Sequence, residues 1–195
     1  MAETKRQKQK ELTRKHLIET AMKQFGENGI ITTKTADIAK AANVAHGTVF
    51  AHFPTQEELL IAVIEEFGNR ITQRLHQLID INSSLFGILE AHMTGLTEFE
   101  AFYTRLVIER RLLPKAVNNT YIMIQSTISF HIGIAAEKEM KQGTIRKLPI
   151  HILYNTWIGL IHYYITNGDL FSPHGSVLKK YSNELLKNYM NLIKK

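Results

Sequence analysis

Five residues that can recognise a surface stand close together between Ala45 and Phe53: His46, Gly47, Thr48, Phe50 and His52. Val49 and Phe53, four apart, make an apolar face on the same helix and leave these five elsewhere on its surface. Their chemistry is that of binding. A neutral imidazole at His46 can donate to or accept from a purine N7 or O6 edge, and Thr48 can bond a phosphate or touch a thymine methyl. The Phe50 ring can lie on a thymine methyl or a sugar. His52 reaches a phosphate or base on the far side, and Gly47 lets a backbone approach closely. Catalytic constellations are missing. There is no Gly-x-Ser-x-Gly elbow, no Gly-rich phosphate loop and no His-Glu-x-x-His, so no enzyme activity is expected. The nine histidines, His151 and His162 among them, match no ligand spacing, and there is no cysteine. No metal or cofactor is expected.

The segment that must position these residues runs from Thr33 to Phe53. Ile38, Ala39 and Ala42 form one apolar face of a first short helix, and Val49 and Phe53 that of a second. Asn43 tolerates the left-handed backbone that a tight turn between crossed helices needs, and Val44 closes the wedge. Small side chains at Ala39 and Ala42 permit a steep crossing. This is a helix-turn-helix whose second helix can enter a major groove. Before it, Leu17, Ile18, Ala21, Met22 and Phe25 repeat at three and four on a buttressing helix from about Lys10 to Asn28, stopped by Gly29. Thr33 is read as the cap of the next helix.

The pattern Thr-x-x-x-Asp-Ile-Ala-x-x-Ala-x-Val-x-x-Gly-Thr-x-Phe-x-His-Phe-x-x-x-Glu-x-Leu, from Thr33 to Leu59, resembles the DNA-binding head of the tetracycline-repressor (TetR) family. The resemblance covers about the first third of the chain. It implies contact with DNA at Thr33, Lys34, Thr35, Ala45, His46, Gly47, Thr48, Phe50, His52 and Gln56. Three positions depart from the family pattern. Phe50 stands where Tyr is usual, which removes a hydroxyl-to-phosphate bond. Gln56 stands where Lys is frequent, so its phosphate contact would release no counterion. Ala45 stands where Ser often caps the recognition helix, a loss of about 1 kcal/mol.

Charge agrees with a polyanionic partner. The net charge is +6, and residues 1–53 carry nine Lys/Arg against five Asp/Glu while the rest carry fifteen against thirteen. The positive excess therefore lies on the head, although no Lys or Arg falls between Ala45 and Phe53. Residues 1 to about 9, with Lys5, Arg6 and Lys8, read as a flexible arm fraying into the first helix. A hydrophobic content of 44% is that of a globular chain. With no cysteine, no apolar leader and no membrane-length apolar run, a cytoplasmic location is expected.

Beyond Pro54 the pattern stays helical. Thr55 caps a long fourth helix to about Ile79, with Glu58 as capping-box partner. After a break at Asn82-Ser83-Ser84, helices are expected at about 84–96, 98–112, 114–142, 149–167 and 176–193. Their punctuation is Gly95-Leu96-Thr97, Pro114, Gly143, Pro149 and the turns from Asn167 to Gly175. The Glu109-Arg110-Arg111 run reads as a solvated helix face. The fold class is all-α: a three-helix head, residues 1–54, and a helical effector-binding and dimerisation body, residues 55–195.

The resemblance implies an effector cavity in the body. Its candidate lining is Phe67, Ile71, His92, Phe99, Phe102, Tyr103, Leu106, Tyr121, Gln125 and Trp157, a set suited to a small hydrophobic or aromatic molecule. The apolar stripes of the last two helices (Ile150, Leu153, Trp157, Leu160, Ile161, Tyr164; Leu178, Tyr181, Leu185, Tyr189, Leu192) form either a purely intramolecular core or, as the resemblance implies, the surface of a homodimer, with Gly159 allowing close approach. The function so implied is a ligand-responsive regulator, most simply a repressor, that binds a palindromic operator as a homodimer. An activator, a DNA-binding module that takes a protein in place of a small effector, and an all-helical enzyme with an incidental hairpin are the other readings.

Overall fold

The computed structural model describes residues 4–78 and 84–195. Its helices are α1 (Lys5–Asn28), α2 (Thr35–Ala41), α3 (His46–His52), α4 (Gln56–Leu78), α5 (Leu85–Glu98), α6 (Glu100–Glu109), α7 (Lys115–Gln142), α8 (Ile150–Thr166), α9 (Gly168–Phe171) and α10 (Val177–Ile193). A 3₁₀ turn, Arg110–Leu112, follows α6. The single extended pairing among the described residues is an antiparallel bridge between Ile145 and Lys194. No described helix is long and apolar enough to cross a membrane. The chain is all-α, as its periodicity indicates.

Two compact units emerge, Met1–Phe67 with Ala101–Tyr121, and Gly68–Glu100 with Ile122–Lys195. In the first, α1 buries Leu17, Ile18, Ala21, Met22 and Phe25, the stripe expected of it. These residues share a core with Ile38, Ala39, Val49, Phe53, Leu59 and Val63, all nearly or fully buried. Burying one such side chain stabilises the fold by roughly 1.5–3 kcal/mol. α1 also meets the backbone of α6 directly: a Cβ at Gly26 would lie 2.9 Å from the Phe102 amide nitrogen and 3.2 Å from the Ala101 carbonyl carbon.

In the second unit α10 packs on α5 and α8. Leu89, Met93 and Leu96 of α5, Leu153, Trp157 and Ile161 of α8, and Leu178, Leu185 and Tyr189 of α10 are buried, so these members of the α8 and α10 stripes fill the core of one chain and are not a surface left for a second copy. The Trp157 and Tyr189 rings lie 5.0 Å apart. The Tyr189 hydroxyl donates to the Leu153 carbonyl at 2.6 Å, and burial pushes its phenol well above the ordinary value. Glu100 caps α10, accepting from the Val177 and Leu178 amides at 2.7 and 3.1 Å and from the Ser176 hydroxyl.

Several sequence expectations change. The basic arm is not extended: α1 begins at Lys5, because Thr4 and Gln7 form a reciprocal capping box. Lys5, Arg6 and Lys8 therefore sit on the first turns of a helix. Gly95-Leu96-Thr97 does not break the chain. α5 continues to Glu98, and Gly95 instead admits the Ile71 side chain, whose Cδ1 would lie 3.0 Å from a Cβ there. The turns after Asn167 hold one further helical turn, α9. Ser84 caps α5, its hydroxyl accepting from the Gly87 amide at 3.1 Å. The end of the fourth helix at Ile79 and the Asn82-Ser83 break lie outside the described residues.

Candidate nucleic-acid interface

α3 carries the residues expected to meet DNA, and the turns before it place it. Gly29, at φ 91°, stops α1. Asn43, at φ 54°, makes the left-handed turn between α2 and α3, and the Val44 amide reaches back to the Ala39 carbonyl at 3.0 Å. Val49 is fully buried and Phe53 nearly so. Ala45 begins α3 with no side-chain cap, as the missing Ser implies. Thr55 caps α4, its hydroxyl accepting from the Glu58 amide at 3.1 Å.

Ala45, His46, Gly47 and Phe50 are exposed, and Thr48 and His52 are half-buried. Nothing lies within 4 Å of a Cβ built at Gly47, and its backbone is ordinary helix. The His46 and Phe50 rings meet edge-on, 4.9 Å between centroids. His46 Nε2 shares a 3.0 Å hydrogen bond with the Thr35 hydroxyl, which ties the first residue of α3 to the first of α2. Burial, then the charges of Lys10 and Arg14, hold the His52 imidazole below its ordinary value against an opposing pull from Glu11. The surroundings of His52 are thus the basic early turns of α1.

Thr33 does not cap α2. Its side chain is buried and its hydroxyl donates to the Gly29 carbonyl at 2.6 Å, while Lys34 is the capping position, its amide donating to the Asp37 carboxylate at 2.9 Å. Thr35 is buried as well. Both threonine hydroxyls therefore have protein partners. Gln56 is exposed and its side-chain amide donates to the Thr33 carbonyl at 3.0 Å. Lys34 remains exposed beside it.

Sequence reading missed two ties from α1. His16 Nε2–H donates to the Ala42 carbonyl at 3.2 Å, and the Arg14 guanidinium lies over the Phe53 ring at 4.9 Å. Both partners are more than 25 residues away, where helical periodicity carries no signal. It also misread Glu109. The half-buried carboxylate accepts from the Ile30 and Ile31 amides at 2.9 and 2.8 Å.

The ten effector candidates divide between the units. Phe67, Phe102, Tyr103, Leu106 and Tyr121 belong to the first. Phe67 lies edge-on to Phe102 at 5.6 Å and stacks on Tyr103 at 5.4 Å, and Tyr103 is hydrogen-bonded to Tyr121. Burial raises the Tyr121 phenol, with the Tyr103 bond and then Arg110 opposing. Ile71, His92, Phe99, Gln125 and Trp157 belong to the second. There Trp157 Nε1–H donates to His92 Nδ1 at 3.1 Å, the Tyr154 hydroxyl donates to Gln125, and Arg70 lies over Phe99 at 5.6 Å. His92 is fully buried, and its Nε2 has no partner among the described residues. An open groove of about 550 Å³ between α5 and α10 is lined by Met93, Thr94, Thr97, Lys179 and Leu186, none of them among the ten. No group of three metal-ligating side chains stands together among the described residues.

Residues 17–63 match the family model described as bacterial regulatory proteins, tetR family. An HTH-type transcriptional repressor of Mycobacterium tuberculosis is 38% identical over 60 residues, which span 31% of this chain and only 32% of that protein. The fatty acid metabolism regulator protein of Bacillus subtilis is 31% identical over 188 residues, covering 88% of this chain and 95% of that one. The crystal structure of the transcriptional regulator FadR from Bacillus subtilis in complex with stearoyl-CoA superposes with a TM-score of 0.76 at 20% identity, covering 92% of this chain and 98% of that one. The fold is the same.

Burial, and then the neighbouring His162, push the His92 imidazole down to about 3. An unfolded imidazole titrates near 6.5. Between these values the unfolded chain binds the extra proton, so the contribution of neutral His92 is full above about pH 6.5 and lost as pH falls toward 3, at roughly 1.4 kcal/mol per pH unit. His92→Leu leaves the Trp157 donor unpartnered and destabilises by about 1–3 kcal/mol at pH 7.5. Urea melts of both proteins at pH 7.5 and 5.0 should show that deficit shrinking or reversing at the lower pH. A deficit independent of pH would contradict a buried neutral imidazole.

Proposed function

This chain belongs to the TetR family of bacterial regulatory proteins, and from that premise we propose that it is a cytoplasmic, ligand-responsive transcriptional repressor binding a palindromic operator as a homodimer. Residues 1–54 act as the DNA-binding head and residues 55–195 as the effector-binding and dimerisation body. The observation that carries the reading is the open space around Gly47 on a helix whose opposite face is buried. A glycine in a helix interior costs about 0.5–1 kcal/mol relative to Ala, and no neighbour within the chain requires it.

In the bound state α3 enters the major groove by its N-terminal end. Gly47 lets the backbone close on the groove floor. His46, with Nε2 held by Thr35, offers Nδ1 to a base edge. Thr48 and Phe50 meet a phosphate, a thymine methyl or a sugar. Lys34, Gln56, His52 and the basic first turns of α1 take phosphates, which fix register without reading sequence. Two heads engage successive major grooves about 34–36 Å apart.

Dimerisation supplies the second head. Ile152 (47% exposed), Thr156, Gly159 and Tyr163 (58% exposed) line one face of α8, with Leu192 (65% exposed) on α10. A Cβ at Gly159 would also meet nothing within 4 Å. Two copies pairing through α8 and α10 bury this face and use that gap for close helix approach.

The effector is a small hydrophobic or aromatic molecule, drawn to the buried aromatic residues of the body. The relative concerned with fatty acid metabolism, and the stearoyl-CoA complex of the superposable regulator, favour a long acyl chain as its apolar part. The effector acts by binding more tightly to the conformation that does not fit DNA.

Selection from a random duplex pool with the full-length protein should recover an inverted repeat. Failure to enrich any sequence at moderate salt would sink the reading. Gly47→Ala should raise the head's stability by about 0.5–1 kcal/mol while weakening binding to the selected duplex by roughly tenfold or more, on the order of 1.4 kcal/mol; wild-type affinity would refute the close approach. Titration of the protein–duplex complex with acyl-CoA thioesters of increasing chain length, and with polycyclic aromatics, should release DNA for one class and not the other; no release by either would remove the effector assignment. Gly159→Arg should sediment as a monomer with an unchanged far-UV spectrum, and a persistent dimer would place the interface elsewhere.

A further inference from the structure

The Glu109-Arg110-Arg111 run looks like solvated charge in sequence, yet the structure gives Glu109 a role across the chain. One oxygen, Oε2, accepts from two consecutive backbone amides, Ile30 at 2.9 Å and Ile31 at 2.8 Å, in the turn between α1 and α2. A carboxylate is suited to this, since charge-assisted bonds to amides are stronger than neutral ones. The turn is shaped around it. Gly29 has φ 91°, and a Cβ there would lie 3.0 Å from Glu109 Oε1. The Gly29 carbonyl accepts the Thr33 hydroxyl at 2.6 Å, and the Thr33 carbonyl accepts the Gln56 side chain at 3.0 Å. Lys34 and then α2 begin at the next residue. The carboxylate thus lies at the head of a chain of hydrogen bonds that ends at the entries to α2 and α4.

Its own position is fixed. α6 touches α1 through backbone at Gly26, where no side chain fits against Phe102. Glu109 stands about one α1 turn further on, at the junction where α6 tightens into the 3₁₀ turn Arg110–Leu112. The neighbouring Arg110 is held over the Tyr121 ring at 5.2 Å. Two contacts at opposite ends of α6 therefore hold the C-terminal end of α1 and the turn beyond it.

We propose that Glu109 is a positioning residue for DNA recognition. Through the Ile30 and Ile31 amides it sets where α2 starts, and α2 in turn carries α3 through the Asn43 turn and the Thr35–His46 bond. Glu109 touches no DNA itself. The inference rests on the DNA-binding reading above.

The test uses the full-length protein and the duplex that wild type selects from a random pool. Glu109→Ala leaves two amides without an acceptor, and affinity for that duplex should fall about tenfold with the far-UV spectrum unchanged and faster amide exchange at Ile30 and Ile31. Glu109→Gln keeps an oxygen that can accept both amides and should stay within about threefold of wild type. Glu109→Asp keeps the charge but withdraws the oxygen by one methylene and should lose affinity; it decides the matter if the alanine variant does not fold. Glu137→Ala, an exposed α7 carboxylate, should bind as wild type does. Wild-type affinity in Glu109→Ala or in Glu109→Asp overturns the proposal, as does an equal loss in Glu109→Gln and Glu109→Ala, which would assign the effect to charge alone. If wild type selects no duplex, the DNA-binding reading falls and this proposal with it. If wild type selects one and the variants match it, only the role of Glu109 falls.

Discussion

A helix of seven residues cannot hold itself together in water, and α3 is such a helix. Isolated helices shorter than about 12–15 residues are marginal even with favourable sequences. α3 has less than that: no side-chain cap at Ala45, a glycine at its second position and no acidic residue in its first turn. Its order is borrowed. Val49 and Phe53 are buried on one side, His46 is tied to Thr35, and Arg14 covers the Phe53 ring. α2, also seven residues, is held in turn by α1 through its buried Ile38 and Ala39 and the His16–Ala42 bond. Apart from His46, whose imidazole is tied to Thr35 and meets the Phe50 ring edge-on, the exposed face of α3 contributes little to holding the helix.

Helix ends pose the second constraint. Each leaves backbone groups that the helix cannot satisfy itself; two carboxylates distant in sequence meet that need and a third serves the turn after α1. Glu109 accepts from the turn after α1, Glu100 from the first amides of α10, and Glu139 from the Leu85 amide at 2.7 Å at the start of α5. A side chain from another helix ties two elements where a local cap would tie only one. Ser84 and Ser176 add the local caps, so α5 and α10 are held from both directions.

The glycines separate what the fold needs from what it does not. Gly26, Gly68, Gly95 and Gly133 each have a neighbour within about 3 Å of where a Cβ would stand, so close packing within the chain explains them. Gly47 and Gly159 have open space and ordinary helical backbone. Both weaken the helix that contains them, and both lie on exposed faces. A residue that costs stability with no gain inside the chain fits the outside contacts proposed for these two helix faces.

The sequence by itself determined the buried stripe of α1, its stop at Gly29, the Asn43 turn and the split of α3 into a buried and an exposed face, but not where α1 starts or which residue caps α2. The features it determined follow from local rules: periodicity, turn chemistry and capping act within a few residues. Where local signals competed, sequence reading failed. Gly95 looked like a break because a glycine in isolation is one, but packing against Ile71 holds it within α5. The first basic residues looked disordered because charge runs usually are, but the Thr4–Gln7 box starts α1 there. Only the tertiary structure decided that Thr33 is buried on Gly29, that His92 is a neutral imidazole joined to Trp157, and that Glu109 holds the turn before α2. Each of these depends on which side chain fills the space beside a polar atom. That is settled by how helices pack, and no spacing along the chain records it.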